Sequence, residues 1–311
     1  MDHSVTRALV IGAGSIGLRH AAVLEGLGHQ VAVATARTDL DRVAYTRVAD
    51  AVNTFRPDYA VVSTATARHA PSVVALEDAG FTGRLLIEKP LAVPLVSLAS
   101  FARVGVGFNL RFHPAVRRLH EVLAGTRIHT VEAYVGQHLS LWRPGREPKT
   151  VYSARLADGG GVLRDLSHEW DYLALILGAC RGVFARGGRV ADVTEDSDDA
   201  WGVVAEYERA PVVTVQLNYL DTQVHRRVLA TTDAGTVEAD LIAGTVRVDD
   251  VLEHFAVERD DTYRAMHAAM LAEDPAPTFP AVATVDEATR TDALIRMIET
   301  SARTRTWVEA A

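Results

Sequence analysis

The chain has 311 residues, 48% hydrophobic and 23% charged, an ordinary globular composition with enough length for two domains. Its net charge of −8 argues against nucleic acid or an anionic membrane as partner, and its longest apolar run, LALILGAC, is too short to span a bilayer. A single cysteine, Cys180, rules out a disulfide framework or a cysteine-based metal site within one chain, and no signal-peptide pattern opens the sequence, so a cytoplasmic setting and no metal are expected.

The first third alternates strand and helix patterns. RALVIG reads as a buried strand, SIGLRHAAVLEGLG as a helix stopped by Gly28, and QVAVAT as a second strand. DYAVVST follows the break at Pro57, HAPSVVALEDAG is a helix stopped by Gly80, and GRLLIE and RVGVGFNL are two more strands. Alternation of this kind predicts a parallel, doubly wound sheet.

Between the first strand and the first helix, VIGAGSIG sets Gly12, Gly14 and Gly17 in G-x-G-x-x-G spacing. The first glycine permits a tight turn, the second lets backbone approach a pyrophosphate, and the third lets helix and strand pack closely. Gly12, Gly14, Ser15, Ile16 and Gly17 are therefore expected to bind a dinucleotide at the helix N-terminus. At the end of the second strand, where an acidic residue reads the ribose of NAD, stand Thr35 and, two residues on, Arg37. A hydroxyl with a guanidinium suits a 2′-phosphate, which favours NADP over NAD.

LLIEKPLAV holds Lys89. Lys149 is the only other lysine among 32 basic residues. A lysine is a compact point charge that fits a crowded pocket where a planar guanidinium does not. Asn109 and Arg111, in FNLRFHP, end the last strand of the parallel sheet, where ligands gather. Arg111 suits a phosphate or carboxylate, or an ion pair at a domain interface.

Near Pro114 the pattern changes. PAVRRLHEVLAG is helical and IHTVEAYVGQH is a long alternating strand. A loop follows with Trp142, Arg143 and Tyr152, whose rings suit stacking on a sugar or base, or packing of the loop itself. Then GGGVLRDLSHEWDYL leads into a helix over roughly 161–177. Asp165 and His168, three apart, share a face of such a helix, as a histidine oriented by a carboxylate that moves protons near neutral pH, or as a surface ion pair on a capped helix. The acidic stretch TEDSDD (194–199) reads as a solvated loop rather than a cation site. WGVVAEYE, VVTVQLNYL, RRVLATT, GTVEAD and GTVRVDD follow with turns and no helices between them, predicting an antiparallel sheet, and two helices close the chain.

Four segments in this order, GAGSIGLRH, VVSTATARHA, LLIEKPL with GFNLRFHP, and GGGVLRDLSHEWDYL, resemble the Gfo/Idh/MocA family of glucose–fructose oxidoreductase and inositol dehydrogenase relatives. The resemblance implies a Rossmann domain over 1–113 and a C-terminal α/β domain over 114–311 with a large, mainly antiparallel open sheet. It implies that this sheet carries the substrate pocket and a homodimer or homotetramer interface. It implies an NAD(P)-dependent oxidoreductase that interconverts hydroxyl and keto groups on a sugar, cyclitol or nucleotide-linked sugar. Lys89 would contact the nicotinamide ribose and the substrate, His168 would exchange the hydroxyl proton, and Asp165 would stand beside it. Ser63, Thr64, Ala65, His69 and Glu88 would line the cofactor, Pro90 would follow Lys89 through a cis bond, and His20 fits the GLRH segment as a packed, surface or site residue. Many relatives place the aspartate four residues before the histidine; here it is three, so either Asp165 or Asp171 orients His168. Relatives that retain NAD and cleave glycosidic bonds are a second implied class, and a non-catalytic dinucleotide sensor is a third.

Overall fold

The computed structural model describes residues 5–91, 98–142, 145–273 and 279–310. The chain divides into two compact units, Met1–Asn109 with Arg259–Thr289, and Leu110–Glu258 with Arg290–Ala311. Residues 259–289 thus belong with the N-terminal unit, whereas the sequence reading assigned everything after 113 to the C-terminal domain.

In the first unit, β1 (Arg7–Ile11), α1 (Ser15–Gly26), β2 (Gln30–Ala34), β3 (Ala44–Tyr45), α2 (Val48–Phe55), β4 (Tyr59–Val62), α3 (His69–Asp78), β5 (Arg84–Ile87) and β6 (Arg103–Val106) follow one another. The strands form one parallel sheet in the order β3-β2-β1-β4-β5-β6. Leu9, Val10, Ala60, Val61, Leu85 and Leu86 are fully buried, because helices cover both faces of such a sheet and its strands read as unbroken apolar runs. Strand order reverses between β1 and β4, and ligands of open parallel sheets collect at that crevice. The two-residue β3 is too short to show a period, whereas α2 sets Val48, Ala51, Val52 and Phe55 at i, i+3, i+4 and i+7, a helical signal absent from the sequence reading.

The edge strand β6 explains why 259–289 belongs here. The Val106 N–H donates to the Ala283 carbonyl. A Cβ on Gly105 would lie 2.5 Å from Val282 and 2.7 Å from the Met270 sulfur, so glycine makes room for the covering segment. Arg103 donates to the Ala269 carbonyl near the C-terminus of α8 (Asp261–Leu271), and Asn109 donates to the Thr262 hydroxyl near its start. Covering satisfies an edge that would otherwise present free backbone groups.

The second unit contains α4 (Pro114–Leu123), β7 (Ile128–Gly136), α5 (Leu139–Trp142), α6 (Val162–Asp165), α7 (His168–Leu177), β8 (Cys180–Gly188), β9 (Ala200–Tyr207), β10 (Ala210–Asn218), β11 (His225–Thr232), β12 (Gly235–Asp240), β13 (Thr245–Val248), β14 (Val251–His254) and β15 (Val308–Glu309). The last helix, α9 (Val285–Thr304), precedes β15. Strand order is β14-β13-β12-β11-β7-β10-β9-β8-β15. Neighbours are antiparallel except β7 and β10, so the sheet is mixed and mainly antiparallel. Alternation sends Trp201, Val203, Ala205, Val213, Val215 and Leu217 into one core with Leu119, Leu163, Trp170 and Leu173 of the helices. The opposite face exposes Phe184, Val204 and Leu229 among polar residues. In CRGVFARGG, glycine and arginine obscure the alternation, and β8 escaped the sequence reading.

His113 begins α4. Its Nδ1 accepts the Ala115 N–H, capping a helix whose first residue is Pro114. Burial, with Arg226 nearby, pushes the ring down to about 4, against an upward pull from the Leu241 carbonyl. Between pH 6.5 and 4 the unfolded chain takes up a proton that the folded chain refuses. Stability therefore falls as pH is lowered through that window, by up to about 3 kcal/mol from this group. Urea midpoints from pH 7 to 4 report the drop. His113→Asn, which keeps a cap acceptor without a titrating ring, reduces it by about that amount.

Candidate functional site

The glycine loop does what its spacing requires. Gly12 has φ +102°, and a Cβ there would lie 2.9 Å from the Ser63 carbonyl oxygen at the end of β4. A Cβ on Gly17 would collide with the Gly12 carbonyl and lie 2.6 Å from Ser63 Oγ. Gly14 differs: nothing lies within 4 Å of its missing Cβ. It is the N-cap of α1, no side chain caps that helix, and no acidic residue stands in its first turn. The result is a helix N-terminus without a side-chain cap, with open space over Gly14, a setting that suits a pyrophosphate. Ser63 braces the loop by donating to the carbonyls of Ile11 and Gly12.

Thr35 follows β2, and its hydroxyl accepts the Arg37 N–H. The Arg37 guanidinium reaches back to the Ala13 carbonyl at 3.0 Å, which ties it to the glycine loop. It also grips Asp39 in a two-bond fork, at 2.9 and 2.7 Å. The sequence reading weighed no acid here; Asp39 lies two residues beyond the arginine. Each partner favours the other's charged form, so Arg37 is raised and Asp39 lowered from its ordinary value.

At the ends of β4 and β5, Thr64 is half-buried and Ala65 exposed. His69 is buried, and its Nε2 donates to the Thr64 carbonyl, closing the turn before α3. Burial holds His69 below the ordinary histidine value. Glu88 is buried, Lys89 is half-buried, and the Lys89–Pro90 bond is cis. A Cβ on Gly107 would lie 2.5 Å from Glu88 Oε1, so a glycine makes room for this carboxylate. His20 is fully buried and its Nε2 stands 2.9 Å from the same oxygen, which resolves the alternatives for His20 in favour of a packed residue facing Glu88. Asn109 is engaged with Thr262.

In the second unit the continuous helix expected over 161–177 is broken. α6 ends at Asp165, Leu166 leaves the helical path at φ −94° and ψ 28°, and His168 opens α7. The argument that three-residue spacing puts Asp165 and His168 on one helix face therefore does not hold. Asp165 is positioned by two tyrosines instead. Tyr219 Oη donates to one oxygen at 2.6 Å and Tyr152 Oη to the other at 3.0 Å. Trp142 sets its ring edge-on to Tyr219, with centroids 5.2 Å apart. Tyr219, fully buried, went unnoticed in the sequence because it sits at the end of an ordinary strand. Arg143 lies outside the described residues. Asp171 meets Arg111 in a buried fork, at 2.7 and 2.6 Å, so each of its oxygens accepts from the guanidinium. The same fork gives Arg111 an ion pair, and it lies within the second unit rather than at a domain interface.

The run Gly159–Gly161 is built against backbone. Gly159 has φ +80°, a Cβ on Gly160 would strike the Tyr152 carbonyl, and Gly161, at φ +118°, faces the Asp198 carboxylate. Asp198 accepts from Leu163 N–H and Trp201 Nε1–H. Asp199 caps Val190 and Ala191, Asp196 caps Leu156, and Ser197 donates to the Ser153 carbonyl. The 194–199 stretch is thus a knot, with Thr194, Ser197 and Asp199 fully buried, rather than a solvated loop. It holds the 152–163 segment that carries Tyr152. Among the described residues no cluster of His, Cys, Asp and Glu forms a metal site.

No protein-family model matches the sequence, and no curated protein matches it. Solved structures match along the whole chain. GenD2 from gentamicin A biosynthesis, in complex with NAD, is 22% identical over 99% of this chain and 97% of its own, with a TM-score of 0.77. The WlbA dehydrogenase from Bordetella pertussis, in complex with NADH and UDP-GlcNAcA, is 17% identical over 99% of each, also at 0.77. A levoglucosan dehydrogenase in complex with NADH is 15% identical over 99% of this chain and 100% of its own, at 0.82. The likeness is one of fold. It agrees with the parallel sheet and the second, mainly antiparallel sheet described above.

The glycines of the loop make separable predictions. Gly17→Ala forces α1 off β1 and lowers stability in urea by roughly 3 kcal/mol or more. Gly14→Ala, with open space around it and an ordinary φ of −71°, changes it by less than about 1 kcal/mol.

Proposed function

We propose that this chain is an NAD(P)-dependent oxidoreductase of the Gfo/Idh/MocA type that interconverts a hydroxyl and a keto group on a sugar-like small molecule. The carrying observation is the glycine loop, in which two glycines are forced by packing and the third, Gly14, is forced by nothing in the protein. A residue kept small over open space at a helix N-terminus fits a ligand's phosphates. The similar structures hold NAD or NADH, and one of them a nucleotide-linked sugar acid, which supports the same reading.

When bound, the dinucleotide supplies or accepts the hydride. Gly12 to Gly17 hold its pyrophosphate, Thr35 and Arg37 read its adenosine ribose, and the turn from Ser63 to His69 borders it. Lys89 stabilises the negative charge that develops on the substrate oxygen. His168 gives that oxygen a proton in the reducing direction and takes it in the other. Asp165, held by Tyr152 and Tyr219, supports His168 from the end of α6, and Trp142 contributes an apolar wall for a sugar ring. Arg111 acts by fixing Asp171 rather than by holding an anionic substrate.

Arg37 favours NADP: it is anchored to the loop by Ala13, and an exposed pair such as Arg37–Asp39 exchanges readily for a phosphate. Asp39 supports the second reading, NAD, as an acceptor for the ribose hydroxyls. The open face of the large sheet, with Phe184, Val204 and Leu229, is the surface we assign to a second copy of the chain.

Fluorescence titration tests the cofactor assignments. Arg37→Ala weakens NADPH by about tenfold or more and leaves NADH nearly unchanged, and Gly14→Ala abolishes binding of both while the protein stays folded. Tighter binding of NADH than NADPH to the wild type decides for the second reading. Lys89→Ala and His168→Ala each lower turnover roughly 10²–10⁴-fold, followed by reduced-nicotinamide absorbance against a panel of keto sugars and polyols. Near wild-type turnover in both variants defeats the assigned roles.

A further inference from the structure

Glu88 ends a buried file of polar side chains that the roles above do not use. Glu88 Oε1 meets His20 Nε2 at 2.9 Å, His20 Nδ1 meets His267 Nε2 at 2.9 Å, and His267 Nδ1 meets the Tyr59 hydroxyl at 2.9 Å. The four groups come from the end of β5, from α1, α8 and β4, all within the first unit. His20, His267 and Tyr59 have no exposed surface; Glu88 retains 7%. The file is closed at the tyrosine end and reaches the surface only at the carboxylate.

The direction of the hydrogen bonds follows from Tyr59. Its O–H is buried, and among the described residues it pairs with His267 Nδ1. If the hydroxyl donates there, His267 carries its proton on Nε2 and donates to His20 Nδ1. His20 then carries its proton on Nε2 and donates to Glu88. Every group has a partner, and every donor points toward the carboxylate. If the file ran the other way, His267 would donate to the tyrosine oxygen and leave a buried O–H without an acceptor, which is costly. A doubly protonated His20 would force the same reversal.

We infer that Tyr59, His267 and His20 are positioning residues that orient Glu88 as a fixed acceptor beside Lys89 and thereby bias the dinucleotide toward its oxidised form. The second half rests on the function proposed above. An oxidised nicotinamide ring is cationic and a reduced one is neutral, so an oriented carboxylate at the carboxyl edge of the sheet favours the oxidised state. The surroundings agree with the direction of the file. Burial, with the imidazoles of His20 and His29, holds His267 well below the ordinary histidine value, so its ring carries one proton. Tyr263 lies edge-on to His20, its centroid 5.4 Å away, with the Arg19 guanidinium over its other side. Burial raises Tyr59 and Tyr263 above the ordinary tyrosine value, with Glu88 adding to both, so both stay hydroxyls; Arg103 pulls Tyr59 and Arg19 pulls Tyr263 the other way. His69, the remaining ring near Glu88, faces the Thr64 carbonyl.

The test has two arms. In protein labelled with ¹⁵N-histidine, long-range proton–nitrogen correlation at pH 7 is expected to find both His20 and His267 protonated on Nε2 and bare on Nδ1. A proton on Nδ1 of either ring overturns the file. In the second arm, oxidised and reduced NADP and NAD are titrated against wild type, Glu88→Gln, His267→Leu, His267→Gln and Tyr59→Phe. Glu88→Gln shifts the ratio of oxidised to reduced affinity about tenfold toward the reduced form. His267→Leu and Tyr59→Phe shift it the same way by a smaller factor, and His267→Gln, whose amide nitrogen replaces Nε2, restores the wild-type ratio. A ratio that moves in Glu88→Gln but in neither His267→Leu nor Tyr59→Phe overturns the positioning role. If no dinucleotide binds the wild type, the proposed function fails, and the tautomers alone decide the file.

Discussion

The Gly12 carbonyl stands where a side chain on Gly17 would begin, and the first unit is arranged around that approach. Because α1 can lie directly on the end of β1, its N-terminus opens at the point where strand order reverses. One turn further along the same face, His20 points inward and meets Glu88. The uncapped helix N-terminus at Gly14 and the support of the EKP carboxylate are therefore two results of one close contact. Ser63 serves both strands at that point, its hydroxyl donating to the loop that its backbone crowds.

The second unit is organised by a different economy of space. Three glycines in succession let the 159–161 backbone run against the carbonyls of Tyr152 and Ser153 and against Asp198. The acidic knot then replaces regular secondary structure with side-chain caps: Asp196, Asp198 and Asp199 each accept backbone N–H groups that no helix or strand satisfies. An irregular segment is stiffened in this way, and Tyr152 rides on it to Asp165. Burial pushes the Asp198 carboxyl up from its ordinary value, with its donors pulling the other way.

What the sequence revealed had a local signal. The glycine spacing, the apolar strands of the parallel sheet, the alternating strands after residue 200 and the helix stops at Gly28 and Gly80 are all written within a few neighbouring residues. What it hid depends on partners far along the chain. The break between Asp165 and His168 carries no glycine or proline, so periodicity ran straight through it. TEDSDD looks solvated by composition, and only its distant partners at 153–163 and 190–191 make it a knot. Arg111 and Asp171 are sixty residues apart and Tyr59 and His267 over two hundred. No pattern of spacing joins such pairs. Asp39 is local, but it lies beyond the strand-end position where an acid ordinarily reads the ribose.

The segment 259–289 has a consequence for how the protein is made. β6 lacks its covering residues, and His20 lacks His267, until some 150 further residues have left the ribosome. At about 5–20 residues per second the large sheet has time to begin forming while the first unit is still unfinished. The nascent first unit would meanwhile expose an unpaired strand edge and a groove at Gly105, the features that chaperones and neighbouring chains engage. A fragment ending at Asn109 inherits the same defect permanently, so the glycine loop cannot be moved to another protein as a self-sufficient cassette.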